Sequence, residues 1–269
     1  MSDLSIGATS HERAVTEVFR NSRTGWFRSR AYHEHGVMVP MLRRHVRLET
    51  ARILDFGCGG LPIASGSFAL RYPRAEVVGT DIERPDRDRM EAAFLAQAGM
   101  TPPRNLRLEQ LAPSTLPAHL GQFDAIYAWS VFEHIPQSEI VTCFRLIRER
   151  LAETGVFYFQ IGGLYHSYIG SHLGNYLPKG WGHLEHALSE IHDIVFSSAQ
   201  PEVKKTREWQ QFLELNRLGA DDFFEAAAEA GLTLLWREDF EDGDPPARLL
   251  RNYTAKALRT HEIRGLFKR

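Results

Sequence analysis

The feature that most constrains this chain is a short apolar run that stops in glycines. Ile53-Leu54-Asp55-Phe56 reads as a buried strand and ends in Gly57-Cys58-Gly59-Gly60. A helix is expected to start at Pro62, because proline fits the first helical turn, where its missing N–H costs nothing. Strand, glycine turn and helix together make a corner suited to a nucleotide. Glycine lets a ligand approach the backbone, and the helix start exposes free N–H groups. A second strand, Glu76 to Asp81, ends in an acid 24 residues after Gly57. That is near the roughly 20-residue spacing at which a carboxylate accepts ribose hydroxyls.

The rest of the chain repeats the alternation. Met90, Phe94 and Leu95 mark a helix, Leu106 to Leu111 a third strand and Phe123 to Trp129 a fourth. Ser138 is expected to cap a helix whose apolar stripe is Ile140, Phe144, Ile147 and Leu151. Gly155 to Ile161 reads as a fifth strand. Asp221 or Asp222 caps a helix through Phe223, Phe224, Ala227 and Ala228 that Gly231 stops, and strands follow at 232–237 and 262–268. Strands alternating with helices predict an α/β fold, a doubly wound, mainly parallel sheet of seven strands covered on both faces. Before it, Val15, Val18 and Phe19, then Val37, Met38, Met41 and Leu42, keep helical spacing and predict two helices. Residues 162–219 break the rhythm with seven glycines, five histidines and two tryptophans, too long a stretch for a simple connection. The expected organisation is an N-terminal helical cap over 1–50, a ligand-binding core over 51–161, an insertion or lid over 162–219, and a return to the same sheet over 220–269.

Composition excludes several classes. Lys plus Arg is 32 and Asp plus Glu 34, a formal charge of −2, which lacks the electrostatic footprint of a general nucleic-acid binder. With two cysteines, Cys58 and Cys143, a disulfide framework is excluded and a reducing compartment is expected. The start has no basic stretch followed by an apolar run, and no segment approaches the roughly 18 apolar residues of a membrane span. These features predict a soluble, cytoplasmic protein.

Two ligand classes compete for the corner. A dinucleotide fingerprint needs glycine at position 62, which is Pro62. Asp55, two residues before Gly57, suits instead a ligand with a positive charge or free amine. Leu54-Asp-Phe-Gly-Cys-Gly59, Val77-Val-Gly-Thr-Asp81 and Phe123-Asp-Ala-Ile-Tyr-Ala-Trp-Ser-Val-Phe-Glu-His-Ile135 resemble the class I S-adenosylmethionine-dependent methyltransferases. The resemblance covers about residues 50–161, and the ends only by strand order. It implies a Rossmann-like sheet and S-adenosyl-L-methionine as cofactor. It further implies that Gly57 and Gly59 hold the methionine part, that Asp55 orients that loop and its amine, and that Asp81 binds the ribose hydroxyls. Ile82 would pack on the adenine, Gln110 would bond its amine, and Trp129 and Ser130 would line the cofactor beside the transferring methyl. One position departs from the family's D-x-G-x-G-x-G: Leu61 stands where the third glycine falls, with Gly60 as its substitute in a shifted turn.

The resemblance implies methyl transfer, expected here to the oxygen of a small molecule or glycan. Such a transfer needs alignment and exclusion of water, with a general base when the acceptor is a hydroxyl. His166, nearest the end of the fifth strand, is the first candidate base; His134, in Phe132-Glu133-His134, is the second, and His172 and His183 follow. No metal is expected, since cysteine-containing zinc spacings are absent and the pairs His183-Leu-Glu-His186, with His192-Asp193 further on, and His33 with His35 read as solvated or capping histidines. Arg28 and Arg30, in a basic aromatic stretch, could meet an acidic acceptor, and Lys204-Lys205 reads as a solvated helix face. The alternative functions are methylation of RNA or protein, and a binding module that kept the corner without the chemistry.

Overall fold

The computed structural model describes residues 8–177 and 180–269. Seven strands form one mixed, mostly parallel sheet in the order β3-β2-β1-β4-β5-β7-β6. They are β1 (Arg52–Phe56), β2 (Glu76–Asp81), β3 (Leu106–Gln110), β4 (Phe123–Trp129), β5 (Leu151–Gly162), β6 (Thr233–Glu241) and β7 (Thr260–Lys268). The chain divides into two compact units. The first holds the described residues up to Ala128, with Leu146–Tyr158 and Leu266–Arg269; the second holds Trp129–Arg145 and Phe159–Gly265.

In the first unit the N-terminal segment opens with α1 (Ser10–Arg20), whose N-cap Thr9 accepts the Glu12 N–H at 3.1 Å. Two helices were expected before the sheet. The second is longer and broken: α2 (Gly25–Arg28) passes through a π-helical turn, Ser29–His33, into α3 (Glu34–Arg43). Phe27 is fully buried against Phe19 and Phe94, with ring centroids at 6.1 and 5.0 Å, so the basic aromatic stretch is anchored in the core.

The next helix, α4 (Ile63–Arg71), follows the glycine turn and starts one residue after Pro62, which caps it. All nine of its residues are buried. Glycines and serines on α4 let its neighbours come close. A Cβ on Gly66 would lie 2.5 Å from the ring of Phe94 on α5 (Arg87–Ala98). Gly79, in the middle of β2, plays the same part from the sheet side, where a Cβ would lie 2.7 Å from Ser65 Oγ. From the outside, His11 Nε2 meets Leu70 O at 2.8 Å and His35 Nε2 meets Ala64 O at 3.1 Å. Arg71, fully buried, reaches His35 Nδ1 at 2.9 Å and Thr16 Oγ1 at 3.2 Å, with its guanidinium 4.9 Å over the Phe19 ring. Arginine only donates, so His35 Nδ1 accepts and its Nε2–H donates to Ala64 O.

The second unit contains α7 (Gly182–Glu185), α8 (Leu188–Ser197), α9 (Glu202–Glu214), α10 (Ala220–Glu229) and α11 (Ala255–Arg259). The rhythm-breaking segment therefore carries three helices. Two of them, α8 and α9, bury a core together with Leu173 and Leu177 of the preceding loop: Ile191, Val195, Phe212 and Leu215. Two expected caps move. Ser138 lies inside a 3₁₀ turn, Gln137–Glu139, that runs straight into α6 (Ile140–Arg150), so helical backbone is already established there. α10 is capped at Gly219, and Asp222 reaches back from its first turn to accept the Gly219 N–H at 2.7 Å. Lys205 is tied to Phe196 O at 3.0 Å and to Glu202 at 2.9 Å. Among the described residues no helix is long and apolar enough to cross a membrane.

Candidate functional site

Parallel pairing sets the register of the corner. Asp55 on β1 stands between Gly79 on β2 and Tyr127 on β4, so its carboxyl lies at the centre of the sheet. Ser65 Oγ donates to Asp55 Oδ2 at 2.6 Å. Burial pushes the Asp55 carboxyl up to about 6, against the Ser65 and Tyr127 hydroxyls, which favour its charge. A buried carboxylate this costly is well placed to receive a cation.

The glycine turn is held from β2. Gly57 and Cys58 donate their N–H groups to Thr80 O at 2.8 and 3.0 Å, and Gly59 donates to Asp81 Oδ2 at 2.7 Å. Asp81 Oδ1 accepts from Glu83 N–H at 2.8 Å. Both carboxylate oxygens are thus oriented by backbone, and each keeps a free lone pair. Gly57 (φ 82°) and Gly59 (φ 74°) are left-handed, the conformation in which side chains are strained. A Cβ on Gly59 would meet nothing within 4 Å, so the backbone there faces open space that a ligand can fill. Gly60 is not left-handed, and a Cβ on it would approach Glu83 Oε2 at 2.9 Å. Its carbonyl instead accepts Asp86 N–H at 2.9 Å, so the turn closes on the α5 N-terminus without a third left-handed glycine.

Ile82 is 60% exposed, and Gln110 Nε2 donates to its carbonyl at 2.9 Å. The structure thus brings Asp55, Gly57, Gly59, Asp81, Ile82 and Gln110 to one end of neighbouring strands. Burial, with Asp55 and Asp81 nearby, raises the Cys58 thiol far out of its ordinary range, which makes it unreactive.

The remaining candidates lie in the second unit. Trp129 is half-buried. Ser130 is held left-handed at φ 52° by Gln160, whose carbonyl accepts its N–H at 2.9 Å and whose Oε1 accepts its hydroxyl at 3.1 Å. His134 and His172 meet edge to face at 5.4 Å, and burial followed by His172 pushes His134 down to about 4. His183 Nε2 lies 2.5 Å from Tyr165 O, and burial brings it also to about 4. His166 packs on Tyr253 at 5.3 Å; burial lowers its pKa, Asp222 opposes, and Arg217 adds to the lowering. His134, His166, His172 and His183 all have lowered pKa values and are therefore mostly neutral at pH 7. Within this unit His166, His183 and Tyr165 form one group, and His134 and His172 another.

Sequence reasoning missed Gln160 and took His35 only as half of a pair with His33. The glutamine sits in an otherwise apolar strand and the histidine in an apolar helix stripe, and a polar residue in such a run is the signal that could have found both. Among the described residues, no three His, Cys, Asp or Glu side chains gather as a metal site requires.

A family model described as a methyltransferase domain matches residues 54–157. Over 103 residues the chain is 33% identical to the ubiquinone biosynthesis O-methyltransferase of Alkalilimnicola ehrlichii, a stretch covering 38% of this chain and 39% of that protein. In architecture it is similar to an S-adenosylmethionine-dependent methyltransferase from Clostridium acetobutylicum, with TM-score 0.51, 14% identity and coverage of 95% of this chain and 96% of that one. PKMT2 from Rickettsia typhi superposes with TM-score 0.52 and 16% identity, covering 89% of this chain but 53% of that one.

Proposed function

We propose, on the premise of the methyltransferase-domain match over residues 54–157, that the chain transfers a methyl group from S-adenosylmethionine to the oxygen of a small molecule or glycan. The observation that carries the reading is the pair Gly59 and Asp81. An open, left-handed glycine lies beside a carboxylate whose two oxygens are already aimed by backbone N–H groups. When bound, S-adenosylmethionine supplies an electrophilic methyl group on a sulfonium, so the leaving group needs no acid.

The residues divide the work. Asp81 accepts the ribose hydroxyls through charge-assisted hydrogen bonds. Gly57 and Gly59 leave room for the methionine part, and Asp55 answers its positive end. Ile82 offers an exposed apolar face to the adenine, and Gln110, already fixed on the Ile82 carbonyl, has a second amide N–H and an oxygen for its edge. Trp129 and Ser130, at the end of β4, are assigned to line the methyl. Segment 162–219 contributes the acceptor side. There His166 removes the acceptor proton, with His134 as the second candidate. Oxygen as the methylated atom rests on the 33% identity to an O-methyltransferase and on these neutral histidines.

A thermal-shift comparison tests the cofactor. S-adenosylmethionine and S-adenosylhomocysteine should each raise the melting temperature by mass action, and NAD should not. Stabilisation by NAD alone would overturn the assignment. The acceptor then follows from a screen of hydroxylated metabolites and sugars with labelled S-adenosylmethionine; transfer only to RNA or protein would refute the small-molecule reading.

A further inference from the structure

We propose that Glu34, at the start of α3, joins Asp55 in receiving the ammonium group of the methionine moiety, so that the N-terminal segment supplies a second acid to the binding corner. The inference rests on the reading that this corner takes S-adenosylmethionine. The geometry begins with the neighbour of Glu34. His35 donates to Ala64 O at 3.1 Å and its ring lies 4.3 Å from Phe68, which pins the first turn of α3 onto the first turn of α4. The residue after Ala64 is Ser65, whose hydroxyl holds Asp55. The start of α3, the start of α4 and the end of β1 therefore converge at the glycine turn.

Glu34 is buried at this convergence, its side chain 5% exposed. Arg30 Nε pairs with Oε1 at 3.2 Å, while Oε2 is buried with no hydrogen-bond partner. An unsatisfied buried oxygen of this kind is costly, and an apolar residue would pack there without that cost. A partner that arrives with the ligand accounts for the acid. The charged and titratable groups that face Glu34 are Arg30 from the preceding turn, Asp55 from β1 and Tyr127 from β4. Burial raises the Glu34 carboxyl to about 8, with Arg30 opposing and Asp55 adding. At pH 7.5 Asp55 is already ionised and Glu34 mostly holds its proton. An arriving ammonium group favours the carboxylate, so binding should release the Glu34 proton to solvent.

Titration calorimetry of the intact protein reads this directly. Wild type and Glu34→Gln are titrated at pH 7.5 in two buffers of different ionisation enthalpy. One ligand is S-adenosylhomocysteine; the other is methylthioadenosine, which lacks the amino-acid part. Wild type should release protons with S-adenosylhomocysteine and none with methylthioadenosine. Glu34→Gln should bind S-adenosylhomocysteine roughly 10-fold more weakly, with the proton release gone, and methylthioadenosine as wild type does. Equal loss for both ligands would show a merely structural role and overturn the proposal, as would unchanged binding of S-adenosylhomocysteine. Absence of proton release in wild type overturns it whether or not the variant folds. If wild type binds neither ligand, the cofactor reading itself falls and takes this inference with it.

Discussion

Replacing Gly59 and Gly60 in turn by alanine separates the backbone's own needs from the ligand's. Gly59 sits at φ 74°, so alanine there costs the left-handed strain of an L-residue, about 1–2 kcal/mol. No steric cost adds to it, because the new methyl meets nothing within 4 Å. For a domain of this size, 1 kcal/mol lowers the melting temperature by about 2–4 °C, so Gly59→Ala should melt about 2–8 °C early and remain folded. Its methyl group, however, would project into the space where the ligand is expected, beside the N–H that Asp81 holds. Affinity for S-adenosylmethionine should fall by roughly 10-fold or more, the equivalent of about 1.4 kcal/mol.

Gly60→Ala supplies the contrast. Its backbone is not left-handed, and the new methyl meets the far end of the Glu83 side chain at 2.9 Å, which can swing away. Stability should change by less than about 1 kcal/mol, with affinity close to wild type. Differential scanning calorimetry without ligand and isothermal titration with S-adenosylmethionine measure the two quantities separately. Wild-type affinity in Gly59→Ala, or a larger loss in Gly60→Ala, would refute the assignment of the open backbone to the ligand.

Three further outcomes are expected. Asp81→Asn should weaken S-adenosylmethionine about 10- to 150-fold by calorimetry, since charge-assisted bonds to two ribose hydroxyls become neutral ones. Glu34 holds its proton in the folded chain up to about pH 8, whereas the unfolded chain loses it near 4.5. Wild-type stability should therefore fall between those pH values relative to Glu34→Gln, by on the order of a few kcal/mol; parallel denaturation profiles at pH 5 and pH 8 would contradict this. Once an acceptor is known, His166→Ala should slow turnover roughly 10²–10⁴-fold, while a near-normal rate would move the base to His134. Because burial lowers the His166 pKa, the wild-type rate should hold through neutral pH and drop only below the ordinary histidine range.

The sheet was legible because its signals are local. The central strands β1, β2 and β4 are short, largely apolar runs, β3 alternates, and the glycine turn and Asp81 announce themselves by spacing. The helix starts were less so. Ser138 is a good capping residue, yet the 3₁₀ turn after Pro136 had already set helical backbone around it. The helices α8 and α9 were hidden because they are short and marginal alone, and become stable where their apolar faces meet in the Leu173–Leu215 cluster. The corner itself was readable at Asp55, Gly57, Gly59, Asp81, Ile82 and Gln110, all near strand ends. Glu34 was not, because nothing within its own helix reports that His35 is docked on Ala64. A contact between residues 29 positions apart leaves no periodic trace.

The buried arginine of α4 ties the beginning of the chain to its centre. Arg71 finds its partners on α1 and α3, at Thr16, Phe19 and His35, and burial has already lowered its pKa to about 10. A chain starting at residue 51 would keep every strand and the whole glycine turn. It would also leave the Arg71 guanidinium and the face of α4 that meets α1 and α3 without cover. The first helices therefore supply the cover and the partners that let an arginine stand inside α4.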